Sequence, residues 1–224
     1  MPNAFLVVFP RWRYEEYMRA GCVGQHLRIL FGGLHQSAPS FKTFGVVPGD
    51  CVYPVSVRTG MMYIVGRLDI DEIIPVRQYL ARRFGMPEDE DFPWCDTVER
   101  LAAMKPKLLP LLPRGCITEA AVGKGRTTIR FDRAVPGEVL ERLRLTSRTG
   151  PERQLRDIDN GRLKSVQTLL GRLYRLTDQS AEEFARLYAR LDPTATSSLR
   201  PDSDRGQWPR FAMEHEGQGR PTAR

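Results

Sequence analysis

Between Arg142 and Arg175 the chain carries nine basic residues against three acids, Glu152, Asp157 and Asp159. That is a net of +6 out of the +7 of all 224 residues. Guanidinium groups at this density can track a phosphate backbone and displace its counterions. Arg148, Arg153, Arg156, Arg162 and Lys164 stand in a polar, turn-rich stretch, Ser147 to Lys164, whose flexible, Gly-containing backbone suits a strip that follows phosphates. Trp12, Tyr14, Tyr53, Tyr63 and Trp94 supply rings on which an unpaired base can stack. Two other accounts compete. The arginines could form a solvated face paired with their own acids, or they could meet an acidic protein partner. The scarcity of lysine (Lys42, Lys105, Lys107, Lys124 and Lys164) fits a GC-rich coding sequence, which explains the choice of arginine but not its clustering.

Other chemistry finds less support. Lys124 lies in AVGKGR, but the G-x-x-x-x-G-K-[ST] phosphate loop is absent and Arg126 follows Gly125, so a hairpin turn is the better reading. There is no G-x-S-x-G elbow, H-E-x-x-H pair or kinase signature. Cys22, Cys51, Cys95 and Cys116 form no C-x-x-C pair, and His26, His35 and His215 complete no zinc spacing. Buried reduced thiols are expected, with no metal and no cofactor; a thiol nucleophile near His26 or His35 is the alternative. The acids Glu88 to Asp91 fit no dedicated calcium loop and read as a solvated segment.

The elements that must position these groups follow from periodicity. Ala4 to Phe9 reads as a buried strand and Tyr14 to Ala20 as a short helix with Gly21 as its left-handed cap. Val23 to Leu34 is either helix or strand. Val47-Pro48-Gly49-Asp50 has the residues of a type II turn. After it, Cys51 to Arg58 alternates with period two, Thr59-Gly60 closes a hairpin, and Met61 to Ile70 returns. Pro54 cannot donate to a ladder, which predicts an edge strand or a bulge, and Gly66 marks a bulge or close approach. Asp71 to Phe84 reads as helical, and a helix capped at Asp96 or Thr97 runs through Met104. Cys116 to Val122 and Thr127 to Phe131 read as strands joined across Gly123 to Arg126, and Pro136 to Leu145 as a helix. Val166 to Leu176 suggests a final strand with a helical start. Asp178 to Leu191 is an amphipathic helix with Ser180 and Glu183 as a capping box. Residues 1–191 are thus expected to form one α+β domain with a Pro-rich insertion near 105–114. Residues 192–224, rich in Thr, Ser, Gly, Pro and charge, read as a flexible, disordered tail.

A Gly49-Asp50 pair opening the strand that holds Val52 and Tyr53, then Tyr63, Val65 and Gly66 in an aromatic-x-V-G pattern, resembles PUA-like domains, nearest their EVE and ASCH branches. The strand Ala4 to Phe9 with Trp12 beyond it matches the same order. The resemblance implies a small twisted mixed β-barrel flanked by helices, holding a modified or unpaired base of RNA or DNA in an aromatic pocket. Trp12, Tyr53 and Trp94 would line that pocket, and Arg148 to Lys164 would hold the phosphates. An ASCH-type nuclease or amide hydrolase drawing on Lys124, Glu119 and Tyr53 is the enzymatic alternative. Hydrophobic residues make up 41% of the chain, and no apolar run reaches the ~20 residues of a membrane-spanning helix. Phe5 to Phe9 is too short for a signal segment. A cytoplasmic protein with no membrane partner is expected.

Overall fold

Every residue of Ala4–Phe9 is buried, so this strand is apolar on both faces and belongs in the interior of a sheet. In the computed structural model, residues 2–33, 39–85, 117–146, 151–166, 169 and 173–192 are described. In chain order these form β1 (Ala4–Phe9), α1 (Arg11–Arg19), β2 (Ile29–Gly33), β3 (Cys51–Arg58), β4 (Met61–Ile64), β5 (Leu68–Pro75) and α2 (Val76–Phe84). Then follow β6 (Ile117–Gly123), α3 (Gly137–Arg142), β7 (Arg144–Thr146), β8 (Arg153–Gln154), β9 (Ile158–Asp159), β10 (Arg162–Leu163), β11 (Leu173–Leu176) and α4 (Asp178–Leu191). The expected Pro-rich insertion near 105–114, the helix from Asp96 and the tail from 193 onward lie outside the described residues.

The protein is mixed α+β. Its main sheet runs β2-β6-β5-β3-β1-β11-β7-β8, with β4 also on β3. β1 and β3 run parallel and the other named ladders of this sheet are antiparallel. The strand order leaves the sheet open, ending at β2 and β8.

The sheet is strongly curled. Phe5 and Val7 of β1 share one apolar cluster with Leu30 of β2, Val52 of β3, Leu68 of β5, Ala121 of β6 and Leu173 of β11. In the sheet order β2 and β11 stand five steps apart, about 24 Å in a flat sheet at ~4.8 Å per strand. Only curling lets them face a common core, which Tyr17 of α1, Phe41 and Phe131 fill. On the other face of β1, Leu6 and Val8 pack with Tyr53 and Val55 beneath Val139 and Leu140 of α3 and Phe184, Leu187 and Tyr188 of α4. A third cluster seats Val76 and Leu80 of α2 on Ile29, Phe31, Ile74 and Ile117.

Three neighbouring chain segments bend together. β4 and β5 are one strand broken at Val65-Gly66-Arg67, as the partners of β3 shift from Val55↔Ile64 to Val52↔Leu68 and Cys51↔Asp69. The chain after β6 does not return as a hairpin across Gly123 to Arg126. It continues along β4 instead: Ile64 N–H donates to Arg133 C=O at 2.8 Å and Val135 N–H to Met62 C=O at 2.8 Å. Its outer edge receives Leu27 N–H on Thr127 C=O, also at 2.8 Å. Glycine makes the shared bend possible, because a Cβ on Gly123 would lie 2.2 Å from Asp69 O and one on Gly125 would lie 2.3 Å from Arg28 Cγ.

Several sequence expectations hold in detail. Asp50 N–H reaches Val47 C=O at 3.1 Å with Gly49 at φ 96°, a type II turn. The Asp50 carboxylate then ties the turn to the amino-terminal strand, accepting from Asn3 N–H at 2.8 Å and Val47 N–H at 3.0 Å. Thr59 (φ 49°) and Gly60 (φ 79°) close β3 onto β4 in a primed turn. Helix α1 ends as expected at Gly21, whose N–H bonds Met18 C=O while Cys22 N–H bonds Tyr17 C=O, the Schellman pair.

Others do not. Residues 71–75 extend β5, and the helix begins only at Val76, after Pro75. β3 lies inside the sheet; Pro54 is accommodated because its C=O takes Val65 N–H and its missing donor falls where β4 breaks from β5. Thr177, not Ser180, caps α4, its hydroxyl accepting Ser180 N–H at 3.3 Å. Ser180 Oγ instead accepts Arg144 N–H at 2.9 Å, and Glu183 pairs with Arg142.

Candidate nucleic-acid interface

Residues 151–166 of the basic segment fold around three short strands, β8, β9 and β10, instead of forming an irregular strip. β9 and β10 form a second small sheet, with Asn160 (φ 48°) and Gly161 (φ 70°) as the two left-handed residues of its turn. The hairpin is docked at two points by glycine. Leu163 N–H donates to Gly60 C=O at 2.8 Å, and a Cβ on Gly60 would lie 2.9 Å from Leu163 O. A Cβ on Gly161 would lie 2.7 Å from Gly137 Cα at the start of α3. Leu155 and Leu163 are buried in the cluster under α3 and α4 and act as anchors. The amide of Gln154 adds a bond to Glu141 C=O at 2.6 Å.

This framework points its cations outward. Arg153, Arg156 and Arg162 are exposed, and none makes an ion pair among the described residues. Lys164, also exposed, lies 3.5 Å from Asp159, and Arg144 lies 3.9 Å from Glu152. Glu152 and Asp159 therefore engage Arg144 and Lys164, the carboxylate of Asp157 makes no ion pair among the described residues, and the three central arginines face solvent. Arg148 lies outside the described residues.

Of the expected aromatic trio, Tyr53 and Trp12 do not share a pocket. Tyr53 is only 1% exposed, with its ring edge-on to Phe184 at 5.2 Å and near Tyr188 at 5.9 Å. Burial raises its pKa, so it is a neutral core phenol with no open face for a base. Trp12 is partly exposed on α1, whose Tyr17 packs into the cluster on the opposite face of β3 from Tyr53. Trp94 lies outside the described residues.

A different aromatic group assembles at the β3–β4 tip. The Arg58 guanidinium lies 4.0 Å from the ring centre of Tyr63 and 4.9 Å from that of Tyr14, and it donates to Phe131 C=O. Tyr14 in turn meets Phe131 edge-on at 4.8 Å. The hairpin register was the signal for part of this set. Pairing Ser56 with Tyr63 puts Arg58 and Tyr63 on one face as diagonal neighbours. The arrival of Tyr14 depends on how α1 packs, which periodicity does not reveal.

Catalytic alternatives lose their geometry. Glu119 is buried and its carboxylate accepts Phe41 N–H. Lys124 is exposed, 3.8 Å from Asp71. Tyr53 lies under α4 in a separate cluster, so these three do not form one site. Burial pushes the Cys51 thiol up to about 11 and raises Cys22 as well, which removes the thiolate a nucleophile needs. Both thiols are buried and free, while Cys95 and Cys116 lie outside the described residues. Among the described residues no group of three or more His, Cys, Asp or Glu is placed to hold a metal ion, and no helix is long and apolar enough to cross a membrane.

A second polar cluster is structural. Arg133, with a side chain only 1% exposed, pairs with buried Asp192, and Tyr188 donates to the same carboxylate at 2.9 Å. Arg133 also donates to Val65 C=O at 3.2 Å and Thr128 C=O at 2.9 Å, tying the end of α4 to the bend. No protein-family description, curated protein or solved structure matches this chain.

Proposed function

We propose that this protein is a nucleic-acid-binding module whose phosphate contacts come from Arg153, Arg156 and Arg162, with Lys164 and Arg148 extending the strip. One observation carries the reading. Three exposed arginines have no acidic partner among the described residues: Arg153 on β8, Arg156 in the bend after it and Arg162 on a hairpin pinned by glycine contacts, with Leu155 and Leu163 buried beside them. A cluster meant only for solvation has no need of such anchoring. A rigid display also reduces the side-chain and backbone ordering that binding must otherwise supply. The Tyr14–Arg58–Tyr63 group lies next to the same β3–β4 turn and offers aromatic surface beside the cations.

The curled sheet supports a PUA-like, barrel-type architecture. The Gly49-Asp50 turn opens β3, and the aromatic-x-V-G pattern, Tyr63 to Gly66, falls on the bend that curls the sheet. RNA, or DNA with an unpaired or modified base, is the ligand this architecture would take.

Fluorescence anisotropy tests the reading. Purified protein is titrated against labelled single-stranded RNA, single-stranded DNA and duplex DNA, with and without modified bases, across a salt series. Binding that weakens steeply with salt and favours one ligand is the expected outcome. Absence of binding to every ligand at low salt would overturn it.

A further inference from the structure

A cleft of about 210 Å³ opens at the other end of β1 from the β3–β4 tip, lined by Asn3, Phe5, Phe44, Gly45, Thr146, Leu173 and Arg175. We propose that this cleft receives one unpaired nucleobase of a single strand, with Arg175 on the adjoining phosphate. The inference rests on the nucleic-acid reading above and adds what the arginine strip lacks, a place where a base is read.

Three features argue for it. The size comes first: about 210 Å³ falls below the ~300–1,000 Å³ of clefts that take drug-sized ligands, so a single planar group fits better than a large one. The floor is apolar, since Phe5 and Leu173 are buried members of one cluster and half-buried Phe44 packs against it. An aromatic wall over an apolar floor suits the face of a base.

The polar complement is the third feature. The backbone of Asn3 is held on both sides, its N–H on the Asp50 carboxylate at 2.8 Å and its C=O on Cys51 N–H at 2.9 Å. Its side-chain amide therefore hangs from a fixed point with a donor and an acceptor available, the combination that reads an amide-like base edge in two bonds. Thr146 adds a hydroxyl, engaged among the described residues by a long 3.4 Å bond to Arg175 C=O. Arg175 is exposed and makes no ion pair among the described residues.

The test compares two single strands of equal length: an ordinary oligonucleotide, as RNA and as DNA, and a strand of abasic residues that keeps every phosphate. Wild-type protein is expected to bind the ordinary strand about tenfold more tightly, the scale of one stacked base. Phe44→Ala and Asn3→Ala are each expected to remove most of that preference and to leave the abasic strand and the salt slope unchanged. Phe44→Leu keeps an apolar wall without a ring, and serves if Phe44→Ala fails to fold. Equal affinity of wild type and both variants for the ordinary strand would overturn the cleft assignment and leave the phosphate track standing. Failure of both strands to bind wild type at low salt would overturn both.

Discussion

Replacing Arg153, Arg156 and Arg162 together by glutamine removes three charges with little cost to the fold, since all three are exposed and sit in no ion pair among the described residues. Surface changes of this kind usually stay within about 0.5 kcal/mol. If each arginine neutralises one phosphate of a single strand, each contributes ~0.7 to the slope of log K against log[salt], so the triple variant should lose about 2 units of slope. Between 50 and 200 mM salt that slope is worth about 20-fold in affinity, which the variant no longer loses because it never gains it. The assay is anisotropy at four or more salt concentrations, with thermal melts confirming the fold. Arg186→Gln is the control: this arginine is exposed on α4, 3.9 Å from Glu182, away from the hairpin. Its slope should match wild type. A triple variant with undiminished slope would refute the assignment of the strip, whatever its absolute affinity.

Asp192→Ala should destabilise the protein by about 3–5 kcal/mol, because it leaves the buried Arg133 guanidinium without its carboxylate; an unchanged denaturant midpoint would show the pair is dispensable. Gly161→Ala places a Cβ 2.7 Å from Gly137 Cα at a positive φ, costing about 1–3 kcal/mol locally, and should speed hydrogen exchange at Leu163 N–H; unaltered exchange would count against the docked hairpin. Cys51, with its thiol raised to about 11 by burial, should resist iodoacetamide at pH 8 in peptide mapping and react only as the protein unfolds in urea; labelling of the native protein at the rate of a free thiol would contradict its burial. Burial likewise pushes Tyr188 up to about 12, above its value of 10 in an open chain, so the folded state keeps a proton that the unfolded state releases. Stability from this source is complete below pH 10 and should fall as pH rises from 10 toward 12; a denaturant midpoint flat across that window would exclude the linkage.

Local chemistry was legible where a few neighbouring residues decide the outcome. The turn at Pro48-Gly49, the hairpin at Thr59-Gly60, the Gly21 helix end and the span of α4 follow from φ preferences and apolar spacing. The concentration of charge between Arg142 and Arg175 is likewise a property of the sequence. Expectations failed where a distant segment sets the local choice. Gly123 to Gly125 has the composition of a hairpin turn, yet it forms a bend because β4 and residues 24–27 already occupy the two edges that the following chain joins. Residues 71–75 stay extended because β6 pairs with them, overriding a helical start. Ser180 yields the cap to Thr177 because its hydroxyl is claimed by Arg144 from the neighbouring strand.

The sequence by itself therefore determined which residues carry charge, where the chain turns, and that strands would alternate with helices. Tertiary structure alone decided what those residues can reach. It buried Tyr53 beneath Phe184 and Tyr188, although the alternation of β3 is as consistent with an exposed ring as with a core one. It also turned a polar, Gly-containing stretch into a rigid hairpin by bringing Gly161 against Gly137 and Leu163 onto Gly60, contacts between residues far apart in the chain. Asn3, Phe44, Thr146 and Arg175 meet around one cleft for the same reason: sheet pairing and curl set long-range neighbours, and no spacing along the chain encodes them directly.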